Sequence, residues 1–323
     1  MWLRWPVVAV QKQRRYEGKT VATTAGQGSA SDGGRPPRRS GKPRELEDFL
    51  NRRLFHPLSR RLAAALAPTF VTPNMVSVSG GLLVLAAGAL YSFGGATWAI
   101  VLAFALHLLW HVVDGADGDL ARMTGRASPF GEMVDGACDY LSHALIYLFL
   151  AIHLAEWMGP WAYALGWASG LSRVAQSNHA ESQRRIYMWR AYGVPWLKQA
   201  HESDHEAFRR TGVLAGLARA YMWLAAVLSP ASPALDRATE RAGRDPAARR
   251  RLTRLCRCAS REPLFLQGLL GANPRTLLLG ISMALGSPLW FFLAETTLLN
   301  LLLIRSIRRQ KACNETLARR FAS

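Results

Sequence analysis

Cysteine is scarce in this chain of 323 residues, and acidic side chains are few: 22 Asp and Glu stand against 40 Lys and Arg. The four cysteines, Cys138, Cys256, Cys258 and Cys313, have neither zinc-finger spacing nor the density of a bridged scaffold, so they read as free thiols. The Cys256-x-Cys258 pair has no second ligand pair near it in sequence, which argues against a soft-metal site. No nucleic-acid-binding motif accompanies the net charge of +18 and the pI near 10.8, so nucleic acid is not expected as a partner. Half the residues are hydrophobic, and long stretches almost without charge alternate with Arg-dense segments. That segregation points to a membrane, with basic flanks facing anionic lipid headgroups.

Residues 1–44 are rich in Arg, Gly, Ser and Pro and read as a basic disordered tail, because they cannot bury enough apolar surface to offset ordering entropy. Residues 45–72 read as an amphipathic juxtamembrane helix: Leu46, Phe49, Leu50, Leu54, Leu58, Leu62 and Leu66 recur at helical spacing between arginines. Thr72-Pro73-Asn74 then supplies a cap and a turn. Apolar spans follow near Met75–Phe93, Thr97–Val113, Val134–Trp157, Trp161–Val174, Leu264–Leu285 and Leu289–Ile304. The expected fold is therefore all-α and integral to the membrane, with six transmembrane helices over residues 73–310 and a basic insert at about 181–263. A basic tail at 311–323 completes the chain. Lys and Arg near the span ends place both termini and the insert in the cytoplasm; in a bacterium the membrane would be the inner one. Val213–Leu228, interrupted only by Arg219, reads as an interfacial helix, since a crossing there would strand a basic segment outside. Asn273-Pro274-Arg275 interrupts the fifth span and is a candidate helix start.

Between the second and third spans lie Asp114, Asp117, Asp135 and Asp139. Carboxylates at the ends of apolar spans are costly, which makes them functional candidates. Asp114 and Asp117 are i,i+3 and Asp135 and Asp139 are i,i+4, so each pair shares a helical face. Four converging carboxylates would repel unless cations lay between them, and oxygen-only ligands favour Mg²⁺, Mn²⁺ or Ca²⁺. Mg²⁺ completes its shell with substrate phosphate, so a phosphate-bearing substrate and a pair of ions follow. Gly118 and Ala121 leave a groove, Gly131 permits close helix approach and Arg122 is a phosphate donor. Asp119 faces away from Asp114 and Asp117 and takes no role; His111 suits either a hydrogen bond in the site or helix packing.

The full pattern D-x-x-D-G-x-x-A-R-x8-G-x3-D-x3-D, from Asp114 to Asp139, resembles the signature of the CDP-alcohol phosphotransferase family at every fixed position. The six-span layout, the amphipathic N-terminal helix and the Thr-Pro-Asn entry are also similar. The resemblance implies that Asp114, Asp117, Asp135 and Asp139 bind two Mg²⁺ or Mn²⁺ ions and that Asp139 is also the base. It further implies that Gly118, Ala121, Arg122 and Gly131 belong to the pocket for a CDP-alcohol lipid donor such as CDP-diacylglycerol. The acceptor hydroxyl would attack the phosphorus distal to cytidine, and CMP would leave.

The motif leaves the small alcohol acceptor open. Arg173, Arg184, Arg185 and Arg275 are candidates to meet a phosphorylated one, favouring inositol phosphate or glycerol phosphate. A homodimer is the assembly to consider. A cation transporter and a noncatalytic member of the fold are the competing classes; both must explain the fixed Gly, Ala and Arg positions. The insert at 181–263 is long for a connection in this family.

Overall fold

The computed structural model describes residues 43–93, 96–194 and, apart from positions 225, 231 and 244, 223–322. The expected tail up to residue 42, part of the loop after Phe93 and most of the Val213–Leu228 segment lie outside the described residues.

The juxtamembrane segment is not one uniform helix. A 3₁₀ turn at Arg44–Leu46 and a π-turn at Asn51–Phe55 precede α1, His56–Leu66. Pro57 explains the widened turn: it has no N–H for the helical ladder, and its ring crowds the carbonyl one turn back. Only part of the leucine row faces the protein: Leu62 and Leu66 pack against the core around Ala63, Val76 and Leu120. Phe55, Ser59 and Ala63 are buried, whereas Phe49, Leu54 and Leu58 are exposed, and the Ser59 hydroxyl donates to the Val112 carbonyl at 2.8 Å.

Four long helices follow: α2 (Pro73–Tyr91), α3 (Thr97–Met123), α4 (Pro129–Met158) and α5 (Trp161–Tyr192). Their ends obey local chemistry. Thr72 caps α2 by accepting from the Met75 N–H, Ser128 caps α4 by accepting from the Gly131 N–H, and proline occupies the first turn of both. Between α3 and α4, Gly125 adopts φ 66°, a left-handed turn that glycine takes without strain and that returns the chain within a few residues. Both α3 and α4 pack on α2 more closely than on one another.

Further on come α6 (Pro233–Ala242), α7 (Pro246–Ala259), α8 (Arg261–Leu269), α9 (Ala272–Ala284), α10 (Leu289–Thr296) and α11 (Leu298–Ala322). Among the described residues, four segments are long and apolar enough to cross a membrane: Pro73–Tyr91, Thr97–Met123, Val134–Met158 and Leu289–Phe321. The expected fifth span is split at Gly271, and α9 opens at Ala272-Asn273-Pro274, where proline stops the α8 ladder and suits a new first turn. Residues 311–322, expected as a separate tail, continue α11.

Two main apolar cores result. The first joins α2 to α5 with α9 and α10 through Trp110, Ile146, Leu150, Leu279, Phe291 and Phe292. The second gathers the ends of α5 and α11 with α6 and α7 around Tyr187, Leu235, Leu252, Cys256 and Leu317, so much of the basic insert is a packed lobe. Arg190 donates there to Asn314 and pairs with Asp236 at 2.9 Å. Burial pushes the Cys256 thiol up to about 11, while Cys258, two residues on, is exposed; the two thiols face different surroundings.

Close packing in the first core sets a testable constraint. A Cβ on Gly280 of α9 would fall 2.5 Å from the Phe104 ring of α3. Gly280→Ala is expected to lower stability by about 1–3 kcal/mol through overpacking. Thermal unfolding in detergent reads this directly; an unchanged midpoint would mean that Phe104 swings aside freely.

Candidate metal centre and nucleotide cleft

The acidic motif falls where α3 ends and α4 begins. Both helices pack on α2, and their acidic side chains converge from the two sides. Carboxylate oxygens of Asp114, Asp135 and Asp139 lie within 4.8 Å of one another, each half-buried. Asp117 is set back from this trio. It is 6% exposed, and its Oδ2 accepts the Ser77 hydroxyl of α2 at 2.5 Å, while Oδ1 accepts from the Gly118 N–H. It still lies within hydrogen-bond reach of Asp135. Two carboxylates so close must share either a proton or a cation. An oxygen-only set of this density, partly shielded from water, fits a hard divalent ion such as Mg²⁺ or Mn²⁺.

The remaining motif residues lie on the same two helices. Gly118 and Ala121 are half-buried on α3, and a Cβ on Gly118 would meet the Arg122 guanidinium at 3.4 Å. The Arg122 side chain is 61% exposed and pairs with Asp119 at 2.7 Å. Asp119, expected to have no role, thus pairs with Arg122 one turn along, and the guanidinium lies over Gly118. Gly131, half-buried, lies against Ser128 and Asn74, so it is part of the helix entry beside the site.

The four arginines singled out for an acceptor have different fates. Arg173 on α5 sits over the Tyr147 ring, 5.7 Å from its centroid, within electrostatic reach of Asp139. Arg184 and Arg185 both bind Glu181 of their own helix, at 2.7 and 2.5 Å. Arg275 is enclosed, at 3% exposed, and bound to Glu295 of α10, itself 0% exposed, at 2.9 Å. It also donates to Gln176 and to the carbonyls of Leu270 and Gly271, the groups left open where α8 stops. Gln176 in turn donates to the Glu295 carbonyl and to Asn300, fastening α5 to α10 and α11. Arg275 is therefore a cross-brace at a broken helix rather than a residue turned to the acidic cluster.

Of a histidine group behind the cluster, sequence reasoning reached only His111 and passed over His107 and His143. His111 shares Thr276 with His107, at 3.0 and 3.3 Å, and its ring stacks on Phe55 at 4.8 Å. His143 Nδ1 meets the Asp139 carbonyl at 2.7 Å, and its ring packs edge-on against Trp110. All three histidines are buried. The signal was present in the i,i+4 spacing of His107 with His111 and of Asp139 with His143, which puts each pair on one face.

Comparison with known proteins bears on the same segment. Residues 70–197 match the profile of the family described as CDP-alcohol phosphatidyltransferase. A phosphatidylinositol phosphate synthase of Mycobacteroides abscessus is 28% identical over 125 residues, 38% of this chain and 51% of that protein. An archaetidylinositol phosphate synthase of Pyrococcus horikoshii is 35% identical over 99 residues, 30% of this chain and 50% of that one. A bifunctional IPC transferase and DIPP synthase of Aquifex aeolicus is 30% identical over 151 residues, 46% of this chain and 33% of that one. The chain spans about half the length, or less, of these curated relatives. The region that matches the CDP-alcohol phosphatidyltransferase family begins just before α2, ends just after α5 and holds the whole acidic motif.

Proposed function

We propose that the chain transfers a substituted phosphate group, phosphatidyl from CDP-diacylglycerol, to an alcohol and releases CMP in phospholipid synthesis. The observation that carries this reading is the convergence of Asp114, Asp135 and Asp139 within 4.8 Å inside a matched family domain. Asp114, Asp117, Asp135 and Asp139 would hold the ions. Two bound Mg²⁺ or Mn²⁺ ions would orient the diphosphate and neutralise the charge that grows on the leaving CMP. Arg122, released from Asp119, would bind a donor phosphate above Gly118 and Ala121. Asp139 would take the proton from the acceptor hydroxyl as its oxygen bonds to the distal phosphorus and the bridging P–O bond to CMP breaks.

The acceptor we favour is inositol phosphate. Two relatives are named for inositol phosphate products, and Arg173 stands within electrostatic reach of Asp139 to meet a phosphate on the incoming alcohol. Six crossings, with α5 and the α8–α9 pair added to the four apolar segments, would put both termini and the cleft on the cytoplasmic side, where the basic lobe and the tail of α11 face anionic lipid. In the same arrangement α1 lies at the interface with Phe49, Leu54 and Leu58 toward the acyl chains.

The test is a panel assay. Purified protein with Mn²⁺ and CDP-diacylglycerol should release CMP when offered inositol phosphate and much less with glycerol phosphate or serine. Chelation with EDTA should abolish release, and excess Mn²⁺ should restore it. Donor binding without CMP release from any alcohol would favour a noncatalytic protein. Cation flux into proteoliposomes without nucleotide would favour a transporter.

A further inference from the structure

Serine in a helix ordinarily turns its hydroxyl back to the carbonyl one turn earlier. On α2, Ser79 does so with Met75 at 2.7 Å. Ser77 differs. Its own back-bond, to Pro73, is stretched to 3.3 Å, and its oxygen lies instead 2.5 Å from Asp117 Oδ2 on α3. A hydroxyl has one proton to give, and a carboxylate is the stronger acceptor, so the proton goes to Asp117. Ser77 is itself 7% exposed, which leaves water little access to compete for it.

We infer that Ser77 is a positioning residue for the Asp117 carboxylate. With Oδ2 held by the Ser77 hydroxyl and Oδ1 by the Gly118 N–H, the carboxylate has no freedom to rotate. It is kept beside Asp135, at the edge of the cluster that Asp114 and Asp139 complete. The setting-back of Asp117 is thus imposed by a residue on another helix, forty positions away. Ligands oriented in advance by such outer partners bind metal more tightly, because the ion does not have to immobilise them. Ser77 has this role only if the acidic cluster holds divalent cations, as proposed above.

The experiment is a Mn²⁺ titration of the full-length chain in detergent, with free Mn²⁺ followed by electron paramagnetic resonance. Ser77→Ala is expected to weaken Mn²⁺ binding about tenfold or more, in the range typical of outer-shell ligand partners. Ser77→Thr, which keeps the hydroxyl, should retain wild-type affinity. Ser77→Cys, close in size but a poor donor, should weaken binding as well, and it stands in should the alanine variant fail to fold. A residue that merely ties α2 to α3 would lower the melting midpoint and leave Mn²⁺ affinity alone. That result, or equal loss in the threonine variant, overturns the role of Ser77 while the cation site stands. Absence of Mn²⁺ binding by the wild type would instead overturn the cation site and the role of Ser77 together.

Discussion

Asp139→Asn is expected to lower CMP release by about 10²–10⁴-fold at saturating Mn²⁺, the range lost with a general base. The substitution preserves size and one oxygen, so the backbone contact from His143 to residue 139 persists. What disappears is the group able to accept the hydroxyl proton, together with one of three carboxylates in the 4.8 Å cluster. Asp114→Asn should behave differently: Mn²⁺ affinity should fall most, and added Mn²⁺ should recover part of the rate. Equal recovery of both variants by excess Mn²⁺ would assign Asp139 to ion binding alone.

Arg275→Met is expected to destabilise the fold by about 3–5 kcal/mol, the range seen when one member of a buried ion pair is removed. Glu295, fully enclosed, would keep a charge with its partner gone, and the carbonyls of Leu270 and Gly271 would lose their donor. Replacing both members, as Arg275→Met with Glu295→Leu, should cost less than the single change, because no uncompensated charge remains. Thermal unfolding in detergent compares the two. A single variant as stable as wild type would show that water or lipid headgroups reach Glu295.

How far the site was legible in the sequence depends on the range of the interaction involved. The pairing of Asp114 with Asp117 and of Asp135 with Asp139 follows from helical period alone, and Gly125 in a short polar connection brings the two faces together. The helix starts at Pro73 and Pro129 were likewise local, written in Thr72 and Ser128 as caps. The retreat of Asp117 from the trio was not local. It depends on Ser77, and nothing near Asp117 in sequence announces a hydroxyl on α2. Arg275 was misplaced for the same reason: a span reading sees one arginine in an apolar run, not the carboxylate of Glu295 across a turn. The stop at Gly271 was half legible, since Asn273-Pro274 marks a start but gives no sign that Arg275 reaches back to the open carbonyls.

On α1 the leucine row reads as one apolar stripe, and the structure divides it. Leu58, and Leu54 just before the helix, stay outside; Leu62 and Leu66 pack beside Ala63, and Ser59 makes the close contact with α3. In an aqueous protein apolar residues turn inward; beside lipid that preference vanishes, and small residues win the helix contact because they allow close approach. The lobe built from the insert escaped the sequence for a further reason. Leu235, Leu252 and Leu317 come from three separated helices, and amphipathic faces do not name their partners.

The unbroken length of α5 has a mechanical consequence. Its 32 residues extend about 48 Å, well beyond a hydrocarbon thickness of about 30 Å. Arg173 lies midway, and Tyr187 in the lobe stands about 21 Å further along the same rod. A small tilt of α5 at Arg173 is therefore magnified at the lobe, as at the tip of a lever.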